Sequence, residues 1–217
     1  MSEQLIDSLI DRSFDLYQAM SEILDPAGIF DLAKADACHG MCRLSMEHGT
    51  SVLLLAGHGN TISAASMVRL QFEALVRGMW LWYAATDHAV NKLLAPFSAD
   101  AVQAAKNLPS INDMMNALTK AESLPKMAAV MLEDLREKLL SELNSFVHAG
   151  IFPYVLTEIG VPDSIVIKTI KHSNGIGTMA GMMMANLSGN EEITIPMSKI
   201  QPKYADCLPE LISPTQG

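Results

Sequence analysis

The sequence predicts an all-α fold, a compact bundle of six to eight helices followed by an irregular tail that contains prolines. Of the 217 residues, 49% are hydrophobic, only 6% are aromatic and 15 are methionine, a composition that favours helices over sheets. Apolar residues recur at helical spacing, and no alternating run is long enough to build a sheet. We therefore expect a single helical domain over residues 1–188 and an irregular C-terminal tail over 189–217.

The first three predicted helices form the N-terminal part of the bundle. Apolar residues on one face predict a helix over residues 3–24, and the segment 25–28, which contains Pro26 and Gly28, stops it. A second helix is predicted from about Ile29 to about Leu55, where Gly40 and Gly49 weaken it and favour a bend. After a glycine-containing turn, a central helix follows over residues 61–85. It is apolar around nearly its whole circumference, so it should be buried.

The rest of the predicted domain alternates short and long helices. Three short helices are expected near residues 87–95, 98–108 and 110–121, separated by prolines and polar caps. Pro125 opens a long helix to about Val147, and a last helix runs from about residue 163 to about Leu187. Prolines recur from Gly189 onward and predict the irregular tail, with a short extended piece at residues 193–195.

Charge and cysteine content narrow the function classes. The formal net charge of −9 argues against a general phosphate-binding surface and disfavours RNA as a partner, but it leaves room for a local basic pocket. Three cysteines do not make a disulfide framework. The N-terminus lacks a basic stretch before an apolar core, and the uncharged segment 50–68 is broken by glycines. We therefore expect a cytoplasmic protein without a signal peptide or a membrane span.

Three charged residues stand out in the apolar central helix. Arg69, Glu73 and Arg77 follow at intervals of four, so they lie on one stripe. Buried charges must be paired, because desolvation costs several kcal/mol per ion. Glu73 can satisfy only part of the need of two arginines. The remaining positive charge predicts either an acid from another helix or an anionic ligand, and a purely structural ion network is the alternative.

A second polar group lies at the end of the long helix that begins at Pro125. Helical periodicity places Asn144, Ser145 and His148 on one face. A histidine can move a proton near neutral pH, and a neighbouring asparagine or arginine can bind an anion. The alternative is a structural histidine that the dipole at the helix C-terminus stabilises.

The segment from Asn144 to His148 carries a family resemblance. Asn144-x-x-x-His148, late in an all-α chain, resembles the end of the Arg-polar-x-x-x-His motif of HEPN domains. The Arg-x-x-x-Glu helix followed by Ser-Phe-Val-His also resembles uncharacterised bacterial helical families related to HEPN, over about residues 40–187. Membership would imply a dimeric, metal-independent ribonuclease of toxin or phage-defence systems that uses the 2′-hydroxyl of RNA. Leu143 stands where the motif has its arginine, so only Asn144 and His148 carry over.

That departure leaves two readings open. In the first, Arg69 or Arg77 reaches His148 from the central helix and replaces the missing arginine in space, with His148 as the acid–base group and an arginine on the phosphate. Alternatively, the domain is a degenerate relative that binds a partner protein or a small anionic ligand and does not cleave. The candidate catalytic residues are His148, Asn144, Arg69 and Arg77. The candidate ligand-binding residues are Arg69, Glu73, Arg77 and Ser145.

Two further motifs contain residue types that bind metals or cofactors in other proteins. Cys38, His39 and Cys42 have metal-binding residue types, but the chain lacks a second cysteine pair, so we expect buried free thiols and no metal. Ser173-Asn-Gly-Ile-Gly177 follows no predicted strand and therefore fails as a dinucleotide fingerprint. No cofactor is expected. His172 is expected at the surface.

The last predicted helix has a methionine-rich stripe of small residues. Gly177, Gly181 and Ala185 recur every four residues, and methionines flank them at 179 and 182–184. Small residues allow another helix to approach closely, and methionine suits both core filling and adaptable interfaces. Core packing is one interpretation. A homodimer interface through this helix is the other.

Overall fold

Helices make up the part of the chain that can be described. The computed structural model describes residues 2–210, and the side chains of all these except residues 2, 3, 104, 105 and 139–141. Over this range it contains no strand. The α-helices are α1 (Ser2–Leu24), α2 (Ala33–Gly57), α3 (Thr61–Tyr83), α4 (Asp87–Leu94), α5 (Ala99–Ala105), α6 (Ile111–Leu118), α7 (Lys126–Val147), α8 (Ile151–Ile159), α9 (Asp163–Ser188), α10 (Glu191–Ser198) and α11 (Ile200–Lys203). A 3₁₀ turn, Ala205–Cys207, follows α11.

The all-α prediction is confirmed, but the predicted number of helices is too low. Residues 2–210 hold eleven α-helices, not six to eight, because α8, α10 and α11 were not anticipated. The predicted bend at Gly40 and Gly49 does not divide α2, which is a continuous helix from Ala33 to Gly57.

The predicted irregular tail is helical over its described part. Residues 191–203 form α10 and α11, including the 193–195 piece that was expected to be extended. Apolar side chains at helical spacing are buried there against the rest of the bundle: Ile193, Met197, Ile200 and Tyr204. Their burial outweighs the helix-breaking tendency of Pro196 and Pro202. Residues 211–217 of the predicted tail lie outside the described residues.

Local sequence signals explain where several helices start and stop. The Thr86 hydroxyl accepts a hydrogen bond from the Ala89 amide at 3.4 Å and begins α4. Ser110 and Asp113 form a reciprocal capping box at the start of α6. Gly189 takes a left-handed conformation, with φ of 62°, and ends α9. Glycine is favoured there because a side chain would strain this backbone.

Helices α2, α3 and α9 pack against one another at the centre of the bundle, with α1 on α9 and α7 on α3. A network of uncharged polar groups joins them inside the core. Gln71, which is fully buried, donates to the Tyr17 hydroxyl at 3.3 Å and to the Ser173 carbonyl at 3.0 Å. The Ser173 hydroxyl donates back to Gln71 Oε1 at 2.7 Å. Buried polar groups that satisfy one another in this way hold α1, α3 and α9 in one arrangement.

Most residues of helix α9 from Thr169 to Leu187 are buried. Its small-residue stripe is buried within the single chain: Gly177 meets Tyr17, and Gly181 meets Met20 and Met197. The core-packing interpretation of this stripe is therefore confirmed. Within residues 2–210, no helix combines the length and the apolar character that a membrane span requires.

Candidate functional site

The charged stripe of α3 is half-buried and only partly paired. The Arg69 guanidinium forms an ion pair with Glu73 at 2.9 Å, with 13% of the arginine side chain and 31% of the glutamate side chain exposed. Arg77 is half-buried and forms no ion pair with a described side chain. The predicted ion pairing is thus correct for Arg69 and Glu73, although Glu73 is only half-buried. It is wrong for Arg77, because no acid among the described side chains reaches it.

Arg69 connects this stripe to the end of α7. Its Nε donates a hydrogen bond to the Asn144 side-chain carbonyl at 3.2 Å, across 75 residues of sequence. Leu143, the residue before Asn144, is buried in the core. Helix α3 thus brings Arg69 to Asn144, but no hydrogen bond joins Arg69 or Arg77 to His148 among the described side chains.

Two arginine nitrogens in this region are buried without partners. Nη1 of Arg69 and Nε of Arg77 are both closed to solvent and meet no hydrogen-bond acceptor among the described residues. A buried donor of a charged group is costly to leave unsatisfied. Because both atoms are closed to solvent, an acceptor from outside the chain would reach them only after neighbouring side chains move.

Ser145 lies in the last turn of α7, and His148 directly follows the helix. His148 is exposed and caps the C-terminus of α7, and its side chain makes no hydrogen bond with the described residues. Ser145 is half-buried, and its hydroxyl accepts a hydrogen bond from the Phe152 amide at 3.3 Å, which fixes the start of α8. The serine has a structural partner, while the histidine ring is free to meet a ligand.

The turn between α7 and α8 is tightly built. Ala149 takes a left-handed backbone with φ of 50°, which few non-glycine residues adopt. The Gly150 amide donates to the Ser145 carbonyl at 2.7 Å, and a side chain at Gly150 would collide with Ser145. This packing places His148 at a defined end of α7, one helical turn beyond Asn144.

Comparison with known proteins places the chain in a family. A family model matches residues 42–210, most of the chain, and this span includes α3, α7 and the turn at His148. The chain belongs to the DUF6988 family, a family of unknown function. No curated protein and no solved structure matches the chain.

The cysteine and histidine group of this DUF6988 chain is not arranged as a metal site. Cys38 and Cys42 are fully buried free thiols, and the Cys42 sulfur packs against Gly78 of α3. His39 is half-buried and lines a different, open cavity beside Arg43 and Glu47. Across the side chains that the structure describes, no three histidine, cysteine, aspartate or glutamate residues converge to hold a metal ion.

His172 is a residue whose position in the DUF6988 chain the sequence did not reveal. It was expected at the surface, but it is half-buried and lines three cavities: two between α7, α9 and the C-terminal segment, and one between α3, α7, α8 and α9. Burial and the nearby ammonium groups of Lys168 and Lys138 lower the pKa of His172 to about 4. The sequence signal was its place directly before the buried stretch that begins at Ser173, which puts its ring at the edge of the core.

Proposed function

We propose that this chain is a HEPN-like binding domain of the degenerate kind, in which Arg69 and Arg77 hold an anionic group beside Asn144 and His148. The observation that carries the proposal is Arg69 itself. It is paired with Glu73 and Asn144, and it keeps a third, buried nitrogen without a partner in the described part of the chain. A phosphate or a carboxylate supplies the acceptor oxygens that a guanidinium binds best.

The charges around Arg69 favour a small or localised anion over a long polyanion. Glu73 neutralises part of the arginine charge, and the whole chain carries a formal net charge of −9. A ligand with many phosphates would be repelled by the rest of the surface, most strongly at low salt. A single phosphate at Arg69 and Arg77 avoids most of this repulsion.

The direct test is a titration with inorganic phosphate and pyrophosphate, followed by calorimetry or by the melting temperature. Binding should be lost in Arg69→Gln and weakened in Arg77→Gln. Arg43→Gln is the matched control, because Arg43 is exposed and lies on α2, away from α7. Equal binding by the wild type and by Arg69→Gln would contradict the proposal.

A second candidate function is cleavage of a narrow RNA substrate. It is favoured by the Arg69–Asn144 contact, which supplies the arginine that the HEPN-like motif lacks at Leu143. His148 would move one proton and Arg69 would stabilise the phosphate charge. A second acid–base group does not lie within hydrogen-bond reach of His148 among the described side chains, so general ribonuclease activity should be weak or absent. Toxin or defence roles and a cytoplasmic location belong to this same proposal.

This candidate is tested by incubating purified protein with total RNA and with a tRNA pool in the presence of EDTA. A His148→Ala variant runs beside the wild type. Robust cleavage that disappears in His148→Ala and in Arg69→Gln would establish the enzyme and displace the binding proposal. Cleavage that persists in both variants would exclude this site as its source.

A homodimer remains part of the proposal, but its expected interface changes. The stripe at 177–185 is buried inside the protomer. The apolar side chains of α8 lie exposed immediately after His148, namely Ile151, Tyr154, Val155 and Ile159. Exposed apolar clusters of this kind mark association surfaces. Sedimentation should show a dimer that Ile159→Asp disrupts, and a monomer at all micromolar concentrations would remove the dimer from the proposal.

A further inference from the structure

Two adjoining cavities lie between α7, α9 and the C-terminal helices, away from Arg69. The first, here called the methionine cavity, has a volume of about 310 Å³, and the second, called the histidine cavity, about 210 Å³. Four residues line both: Met131, Thr178, Met179 and Gln201. These shared residues on α7, α9 and α11 place the two cavities side by side. Together they fall in the size range of small-molecule sites.

The walls of the methionine cavity are apolar and adaptable. Six methionines line it, from α3, α7, α9 and α10: Met79, Met131, Met179, Met182, Met183 and Met197. Methionine side chains are flexible and polarisable, so they can adopt different rotamers around apolar ligands of different shapes. The site is therefore built for an apolar body and does not require one rigid shape.

The polar groups of the methionine cavity carry no charge. They belong to Tyr83, Thr178, Asn186, Ser198 and Gln201. A charged ligand would lose its water there without gaining a counter-ion, which costs several kcal/mol. An uncharged ligand avoids this cost, so the lining selects against ions of either sign.

Gln201 provides a hydrogen-bonding group at the junction of the cavities. Its Nε2 donates to the Thr178 hydroxyl over a long 3.4 Å, while that hydroxyl donates to the Gly175 carbonyl at 2.8 Å. A bond of that length is weak, so a ligand can replace it. The amide offers one donor pair and one acceptor, which suit a hydroxyl or a carbonyl group.

The histidine cavity does not change this preference. Asp134, His172 and Glu210 line it; Asp134 is already paired with Lys138 at 2.7 Å, and Glu210 is exposed, so solvent screens its charge. His172 is uncharged at neutral pH, because burial and the nearby lysines lower its pKa to about 4. Lys168 is engaged by Glu142 at 2.8 Å. These groups leave no free cation lining the histidine cavity for an anionic head group.

We propose that the methionine and histidine cavities form one binding site for an uncharged, elongated apolar molecule that carries a hydroxyl or carbonyl group. The apolar chain lies among the methionines, and the polar group meets Gln201 and Thr178. This site is independent of the anion site at Arg69, so either proposal can fail without the other.

A chain-matched series tests the proposal: decanol, decanoate and decylammonium, each titrated into the full-length protein near neutral pH. Decanol should bind with one-to-one stoichiometry and at least about tenfold more tightly than either ion. Methionine methyl NMR signals should move at the lining methionines and stay fixed at Met114, which is buried elsewhere. Absence of saturable decanol binding, equal binding of an ion, or shifts away from the lining would overturn the proposal.

Matched variants of α7 locate the site. Ala128→Trp places a large side chain at the wall of the methionine cavity and should weaken decanol binding at least about tenfold. Val130→Trp is the control, because Val130 is exposed on the same helix and does not line either cavity. Gln201→Leu should weaken decanol by removing its hydrogen bond. Should Ala128→Trp fail to fold, the NMR map and Gln201→Leu still decide the question. Unchanged affinity in Gln201→Leu would refute the polar-group assignment.

Discussion

Arg69 on α3 donates a hydrogen bond to Asn144 on α7 at 3.2 Å, although the two residues are separated by 75 positions. The contact joins the charged stripe of the central helix to the segment that ends at His148. It turns two separate sequence motifs into one surface feature. Four predictions follow from this and other contacts of the bundle.

Glu73→Ala should lower the free energy of unfolding by about 1–2 kcal/mol, because it removes a charged hydrogen bond from Arg69. The loss is smaller than the roughly 3–5 kcal/mol expected for a fully buried pair, since Glu73 is 31% exposed and Asn144 still contacts the arginine. Urea denaturation measures it. Glu142→Ala, which breaks an exposed pair with Lys168, should cost only about 0.5 kcal/mol. Equal losses in the free energy of unfolding would mean that the Arg69–Glu73 pair is as well screened by solvent as the exposed Lys168–Glu142 pair.

The two glycines of α2 should respond oppositely to the same substitution. Gly40→Ala should raise the stability by about 0.5–1 kcal/mol, because open space surrounds the position and alanine favours helix. Gly49→Ala should lower it by about 1–3 kcal/mol, since its new methyl group would collide with the Tyr17 hydroxyl and with Gln71 Nε2. Thermal unfolding compares the two variants. A stabilised Gly49→Ala protein would disprove the close approach of Tyr17.

Gln71→Met should cost about 2–4 kcal/mol, because it strands the Ser173 hydroxyl and the Tyr17 hydroxyl in the core. Gln18→Met is the control. Gln18 is exposed and bonds only to Glu22, so its loss should stay within about 0.5 kcal/mol. Adding Ser173→Ala to Gln71→Met should cost less than the sum of the single effects. Strict additivity in chemical denaturation would show that the two side chains act separately.

His172 should make the protein less stable as the pH falls from about 6.5 to about 4. Its pKa falls from the ordinary value of 6.5 to about 4 on folding, so in this window the unfolded chain binds a proton that the folded chain does not. Over this window, the contribution of His172 to the free energy of unfolding should change by roughly 3 kcal/mol at most. Stability should be compared with that of His172→Gln across this range. The stability of the wild type relative to His172→Gln should fall as the pH falls, and a constant difference would contradict the lowered pKa.

Much of the fold could be predicted from local pattern. Periodicity and caps predicted α1, α3, α4, α6, α7 and α9, because these signals act within a few residues. The same logic placed Arg69 and Glu73 within reach of each other, since residues four apart are neighbours on any helix. The helices of the tail were not predicted. Apolar residues do stand there at helical spacing, at Ile193, Met197, Ile200 and Tyr204, but the prolines between them favour an irregular segment.

By itself, the sequence determined the all-α class, the Arg69–Glu73 pair and the shared helix face of Asn144 and His148, because each depends on spacing along one helix. Only the tertiary structure decided which helices face one another. It brought Asn144 to Arg69, left Arg77 without an acid among the described residues, and placed His172 beside cavities lined by α7 and α9. The physical reason is that helical periodicity specifies a face of a helix but not its partner. The partner is chosen by packing between segments far apart in the chain.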